Sequence, residues 1–289
     1  MIDSILPQAP RRRGRPPSTN GEGGSDIQSL DRAISILEVL AGIDFTSLAE
    51  ISRRTGLPLS TVHRQLQTLQ HRGLVGHDIE TGLWSVGVGL FRIGSAYLRI
   101  RKLPEIARPV LRMLQQETGE TVNLTAFEDP FIICVGQAES HASVRAFFRP
   151  GSELPLHASA AGKAVLAVLS PESRDRLLDG CIYTRFTGST HSSQASLLAD
   201  LDQTARRGYA LDNEEHSLGM RCAGAAILNE FGEPVGALSV SAPNFRVTED
   251  QIATLGVAVR AAAQRLTALY AGRSAEGGAA TTPNCSGLG

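Results

Sequence analysis

Residues 57–86, LPLSTVHRQLQTLQHRGLVGHDIETGLWSV, describe a helix with two unlike faces followed by a hairpin. Val62, Leu66 and Leu69 recur at helical spacing, which predicts a buried stripe on a helix from about Leu59 to Arg72. Ser60, Arg64, Gln67 and His71 fall on the opposite face. Gly73 is a natural C-terminal stop. Leu74–His77 and Leu83–Val86, joined by a turn near Glu80-Thr81-Gly82, read as a hairpin. Upstream, Leu48 and Ile51 mark a helix over 46–55, stopped by Gly56 and Pro58. Leu30, Ile34, Leu37 and Ala41 predict another over 29–41 that buries this face. Helix, helix, tight turn, helix, hairpin is the order of a winged helix-turn-helix. Its third helix suits a major groove, where Arg64 can pair bidentately with guanine. Ser60, Thr61, His63 and Gln67 stand beside it for base edges or phosphates. The same pattern also fits a small helical bundle with a solvated polar face.

Charge separates the two readings. The chain of 289 residues has a net charge of −1, which says nothing by itself. Residues 1–102 carry 13 Lys/Arg against 9 Asp/Glu, a balance of +4, and residues 103–289 carry 15 against 20, a balance of −5. The first part therefore suits a polyanion and the second is ordinarily acidic. Within the Pro-, Gly- and Arg-rich residues 1–25, read as a disordered tail, Arg11-Arg12-Arg13-Gly14-Arg15-Pro16 contains an RGRP core. Arg13 and Arg15 on such an extended arm suit a narrow A·T minor groove. A plain basic tail is the alternative.

Other classes fall away. No apolar run approaches the roughly 18–20 residues of a membrane span, and the start holds no secretory core. The four cysteines, Cys134, Cys181, Cys222 and Cys285, lie 47, 41 and 63 residues apart and form no CxxC pair. A cytoplasmic chain without membrane contact is expected. Gly162-Lys163 does not end a phosphate loop, because His157 and Ala164 stand where glycine and Ser/Thr are needed. Gly87-Val-Gly89 lacks the third glycine of a dinucleotide fingerprint. Glu214-Glu215-His216 reads as a solvated loop before an acid or metal cluster. No metal and no cofactor are expected.

Residues 87–102 predict a linker helix with Leu90, Ile93, Gly94 and Tyr97 on one side, suited to pairing with a second subunit or to a core. Residues 103–272 alternate helix and strand signals, an α+β pattern. Helices are expected at 104–118, 160–170, 194–208 and 248–271, and strands at TVNLTAF, FIICVG, SVRAFF, CAGAAILN and PVGALSVSAP. The tail from Arg273 reads as disordered. His157-Ala-Ser-Ala-Ala-Gly-Lys163 opens a helix with small residues, where unpaired amides and the dipole can meet a carboxylate. Ser239 and Ser241 share one strand face, and Asp212 and Cys222 flank the intervening loop. An Ala-rich helix packed on a sheet explains the same residues. A third reading makes Cys222 the nucleophile of an oxo-acid enzyme, assisted by Asp212 or His216.

The stretches LPLSTVHRQLQTLQHRGLVGHDIETGLWSVG, LPLHASAAGKAVLAVLS and GYALDNEEHSLGMRCAGAAILNEFGEPVGALSVSAP resemble the IclR family of bacterial transcription regulators, over residues 27–98 and 103–272. Within it the sequence looks most like repressors of acetate-operon, glyoxylate-bypass genes. The resemblance implies a winged helix over 26–86, a linker over 87–102, and a GAF-like effector domain over 103–272. It also implies a homodimer that assembles into a tetramer on double-stranded operator DNA. Its effectors are small carboxylates, glyoxylate and pyruvate among them. Carried over by position, Leu154, Ala160, Ala161, Asp212, Met220, Cys222, Ser239 and Ser241 form the effector site. Ala146 stands where the acetate-operon type carries methionine, which implies room for a longer acid. Regulators of aromatic-acid or sugar-acid catabolism, some of them activators, share the pattern.

Overall fold

The computed structural model describes residues 27–277, apart from 101 and 147, and side chains at all of these but 98–100 and 272–277. Arg13 and Arg15, with the rest of the RGRP arm, lie outside the described residues, as does Cys285. Two compact units divide between Ala96 and Tyr97.

The first unit starts with α1 (Gln28–Ala41), α2 (Leu48–Thr55) and α3 (Leu59–His71). Ser47 caps α2 by accepting from the Glu50 amide at 3.3 Å, and Gly56, in the left-handed region, ends it. Gly73 takes the same conformation just past α3. The wing is β1 (Val75–His77) paired antiparallel with β2 (Trp84–Val86). Ile36, Leu40, Ile51, Val62, Leu66, Leu69, Val75 and Trp84 make one core. Of the stripe expected on α1, Leu37 is partly buried, while Leu30 and Ile34 are exposed. The helix carries two apolar rows, and the row of Ile36 and Leu40 is the one that faces α2, α3 and β2. Gly87 and Gly89 have a packing reason: a Cβ at either would stand 2.5 Å from the Gly73 carbonyl oxygen. This is where the chain leaving the wing crosses the end of α3. The linker helix α4 (Val88–Ile100) spans the division and leaves Val88, Phe91 and Ile93 exposed.

The second unit is an α+β domain. Its helices are α5 (Leu103–Thr118), α6 (Ala160–Val168), α7 (Pro171–Leu178), α8 (Gln194–Arg207) and α9 (Glu249–Gly277). Its strands are β3 (Thr121–Glu128), β4 (Phe131–Ala138), β5 (Ala210–Asn213), β6 (Met220–Leu228) and β7 (Pro234–Pro243). They form one antiparallel sheet in the order β4-β3-β7-β6-β5. Val122, Leu124, Ala223, Ala225, Leu238 and Val240 point to one face, where α5 and α9 cover them. Alternate residues point to the other face, under α6, and α8 packs behind α6.

Two sequence expectations change. Residues 143–148, as far as described, form no strand. Their carbonyls are taken by side chains instead: Thr121 Oγ1 donates to Ala146 O, Arg246 Nη1 to Val144 O and Gln137 Nε2 to Phe148 O. Asp212 on β5 and Cys222 on β6 do flank the loop between those strands. The last helix continues past 271, to Gly277. Strand β5 and helix α7 were not foreseen.

Candidate nucleic-acid interface and effector site

On α3 the apolar stripe fixes the helix in the core and turns the other face outward. Ser60, His63, Arg64 and Gln67 are exposed and Thr61 is half-buried, so the five residues expected to meet DNA share the solvent side of one helix. At the wing tip Asp78 Oδ1 accepts from the amides of Glu80 and Thr81, at 2.9 and 3.3 Å, and His77 stacks on Trp84 with centroids 4.2 Å apart. The Thr81 hydroxyl and those amides hold the Asp78 carboxyl below the ordinary range.

In the second unit the register places a row of small polar residues across the sheet. Thr121 pairs with Ser241, Ser241 with Cys222, and Cys222 with Asp212. In the next row Gln137 pairs with Asn123, Asn123 with Ser239, and Ser239 with Gly224. Gln137 Nε2 donates to Asn123 Oδ1 at 2.8 Å, and Asn123 Nδ2 donates to Ser241 Oγ at 3.3 Å. Cys222 has side-chain contacts with both Ser241 and Asp212. A polar chain thus runs from β4 to β5 in a buried layer.

The start of α6 closes this layer. Ser159 Oγ accepts from Gly162 N at 3.0 Å, and Ser159 O accepts from Lys163 N at 2.9 Å. Neither bond takes the amides of Ala160 and Ala161, the other two at this end. Gly224 lets them approach: a Cβ there would lie 2.7 Å from the Ala160 carbonyl group and 3.0 Å from the Ala161 nitrogen. Leu154 and Met220 line a separate open cavity of 390 Å³ with Arg145, Ala146, Phe148 and His216. Ala160, Ala161, Asp212, Cys222, Ser239 and Ser241 are buried and do not line it. The expected site residues therefore fall into a buried polar floor and an open mouth where apolar walls alternate with charged side chains, Arg149 and Glu153 among them. His216 belongs to the mouth, against Phe148 and Phe186, with ring centroids at 6.2 and 5.0 Å.

Electrostatics set the chemistry of the floor. Asp212 Oδ1 accepts from Glu215 N at 2.8 Å and His216 N at 3.4 Å. Burial, with the nearby Glu215 charge, nevertheless raises the Asp212 carboxyl to about 7. Burial first, then Asp212, pushes the Cys222 thiol well above its usual range. Burial and neighbouring His157 lower His216.

Beside the floor sits a group that sequence reasoning passed over. Lys163 Nζ, fully buried, meets Glu215 Oε1 and Oε2 at 2.6 and 2.7 Å and Asp200 Oδ2 at 2.7 Å. Arg207 reaches Asp200 at 3.4 Å, and His191 Nε2 stands 3.6 Å from both carboxylates. His191, Asp200 and Glu215 have a spacing that suits a metal ion, but the cation between the carboxylates is the Lys163 ammonium. Burial raises Glu215 against the pull of Lys163. The expected solvated loop is therefore half wrong: Glu215 is buried and ion-paired, though Glu214 beside it is not buried. Nothing local announced the pair, since Lys163 lies 37 and 52 residues from its partners. Asn123 and Gln137 were also missed. Thr121, Asn123 and Thr125, alternating with Val122 and Leu124, were the signal for a polar strand face.

A winged helix with a polar, outward recognition helix, carried on one chain with an α+β domain that buries a small polar layer, defines a DNA-binding regulator with a sensor domain. Comparison with known proteins agrees. Residues 29–78 match the IclR helix-turn-helix domain, and residues 95–268 match the IclR C-terminal domain of bacterial transcriptional regulators. The chain belongs to the IclR family of transcriptional regulators. It is 43% identical over 261 residues to the HTH-type transcriptional regulator BhcR of Paracoccus denitrificans, covering 89% of this chain and 94% of that one. It is 40% identical over 267 residues to the transcriptional repressor IclR of Escherichia coli, covering 91% and 97%. A solved IclR homologue from Microbacterium hydrocarbonoxydans, complexed with 4-hydroxybenzoate, superposes with a TM-score of 0.70 at 26% identity, covering 84% and 98%. Among the described residues no helix is long and apolar enough to cross a membrane.

Proposed function

We propose that the protein represses carbon-metabolism genes of the acetate, glyoxylate-bypass type and is controlled by a small carboxylate such as glyoxylate or pyruvate. The observation that carries this reading is the buried polar row Ser241–Cys222–Asp212, with Ser239 beside it, on the sheet face where Gly224 lets the start of α6, with Ala160 and Ala161, come close. Such a layer binds an anion by dipoles and hydroxyls, without a free basic side chain. The 40% identity to the repressor IclR supports the pathway. Ser60, Thr61, His63, Arg64 and Gln67 contact operator DNA, Arg13 and Arg15 add minor-groove contacts, and a homodimer assembling to a tetramer presents paired half-sites. The acid shifts the DNA-binding equilibrium by preferring one of two states. The protein works in the cytoplasm.

A second reading has its own support. With Ala146 at the mouth, the 390 Å³ cavity holds far more than a three-carbon acid, and Phe148, Leu154 and Met220 give it apolar walls. An aromatic acid would lay its ring there and its carboxylate toward the floor, and the 4-hydroxybenzoate complex of a homologue points the same way. An oxo-acid enzyme is the weakest reading. Cys222 is buried and kept as a thiol, the poorer nucleophile, beside a carboxyl that is itself slow to ionise. Selecting an operator from random DNA and titrating glyoxylate, pyruvate and 4-hydroxybenzoate against the complex decides among these. Release by the two oxo acids supports the first reading, release by the aromatic acid alone the second. Turnover of pyruvate lost in Cys222→Ser would restore the enzyme.

A further inference from the structure

Charge in the buried floor is already matched before any ligand arrives. The titratable and charged groups around Asp212 are Glu215 and His216 from the loop after β5, Cys222 from β6 and Lys163 from α6. Asp200 and Arg207 of α8 and His191 stand behind Lys163, and His157 stands beside His216. Lys163 is committed to two carboxylates at 2.6–2.7 Å, and Arg207 to Asp200. Burial keeps His216 neutral at pH 7 and Cys222 a thiol. Arg145 and Arg149 line the separate cavity at the mouth, so the floor itself has no cation to spare for Asp212 and a bound acid together. Two carboxylates side by side in such a layer cannot both ionise. The two amide bonds by themselves favour the ionised form, and burial and the Glu215 charge outweigh them, but their geometry leaves a place for the proton. The two backbone amides both donate to Oδ1, which leaves the second oxygen outside those bonds and able to carry a proton.

We propose that the effector site takes its carboxylate together with one proton, with Asp212 in the neutral form donating from its second oxygen to the bound anion. This rests on the effector site proposed above. Asp212 titrates at about 7 in the empty site, so the proton is already in place in acid and must come from solvent at higher pH. Its cost then appears in the affinity.

The test is calorimetry of the full chain with pyruvate, in two buffers of unlike ionisation heat. At pH 8.5 about one proton is taken up per acid bound, and at pH 6 about a tenth of one. Kd is flat below about pH 6 and rises about tenfold per pH unit above about 7.5. Asp212→Asn keeps the acceptor for both amides and a donor on the second atom but cannot titrate. Its Kd is then the same at pH 6 and 8.5, and its proton uptake is near zero. Binding by the wild type without uptake at pH 8.5 overturns the inference and leaves the effector site standing. So does uptake that survives Asp212→Asn and disappears in His216→Gln. Absence of binding by pyruvate, glyoxylate and 4-hydroxybenzoate alike removes the site and the inference with it.

Discussion

Replacing Gly224 by alanine tests how closely helix and sheet must approach for the effector layer to exist. The added Cβ would sit 2.7 Å from the Ala160 carbonyl group and 3.0 Å from the Ala161 nitrogen, whereas ordinary contact starts at 3.4 Å. Both obstacles are backbone, so no rotamer change relieves them. The start of α6 must retreat by about 0.7 Å, the difference between contact and 2.7 Å. Overpacking of this kind costs about 1–3 kcal/mol. For a domain of this size that is a fall of about 2–4 °C in Tm per kcal/mol. A hydrogen bond of about 2.9 Å from either helix amide to a ligand would stretch to about 3.6 Å, beyond useful range. The effector response should therefore fall more than stability does. Calorimetric melting measures the first effect, and acid-induced release of operator DNA the second. Operator affinity without effector should stay within about twofold, because the winged helix has its own core. Unchanged Tm and unchanged response would show that α6 yields freely, and the backbone-limited site would be refuted.

Four further outcomes are expected. Arg64→Ala should lose about 1–3 kcal/mol of base discrimination, read as a flattened preference in competition binding at fixed salt; wild-type preference would remove α3 from the groove. Deleting residues 1–25, with Arg11, Arg12, Arg13 and Arg15, should weaken operator binding and flatten its salt dependence, and an unchanged slope would make the arm idle. Lys163→Met strands Glu215 and leaves Asp200 with Arg207, and should cost about 3–5 kcal/mol in denaturant unfolding, with partial recovery when Glu215→Gln is added. The Asp212 carboxyl rises on folding from 3.8 to about 7, so its contribution is favourable in acid and is lost as pH climbs through 7. Asp212→Asn should therefore stabilise the free protein at pH 8 by of order 3–4 kcal/mol and give nothing at pH 4; a gain independent of pH would contradict the raised carboxyl.

The sequence made visible what local rules control. Val62, Leu66 and Leu69 oriented α3, and Gly73 ended it, because period and left-handed backbone are written into neighbouring residues. Ser239 and Ser241 were legible as one strand face for the same reason. Leu30 and Ile34 misled because α1 offers two apolar rows, and only its packing partners choose between them. SVRAFF looked like a strand, yet Thr121, Gln137 and Arg246, all from elsewhere in the chain, claim its carbonyls. The four-residue β5 carries too few residues to show alternation, so the strand that carries Asp212 left no pattern to read. Lys163 was legible only as a failed phosphate motif. Its partners come from α8 and from the loop after β5, and long-range charge pairing leaves no periodic trace.

The burial of Lys163 has a practical side. The chain contains only two lysines, and the other, Lys102, is exposed just before α5. A dye, crosslinker or chip linkage that attacks amines therefore meets one lysine on the folded surface, besides the N-terminal amine. Immobilisation through Lys102 fixes one orientation, well away in sequence from both α3 and the effector residues. The second lysine becomes reactive only when the ion pairs under α6 come apart. Following the label on Lys163 itself, by peptide mass mapping, would thus report opening of the sensor domain directly, with no reporter to be engineered in.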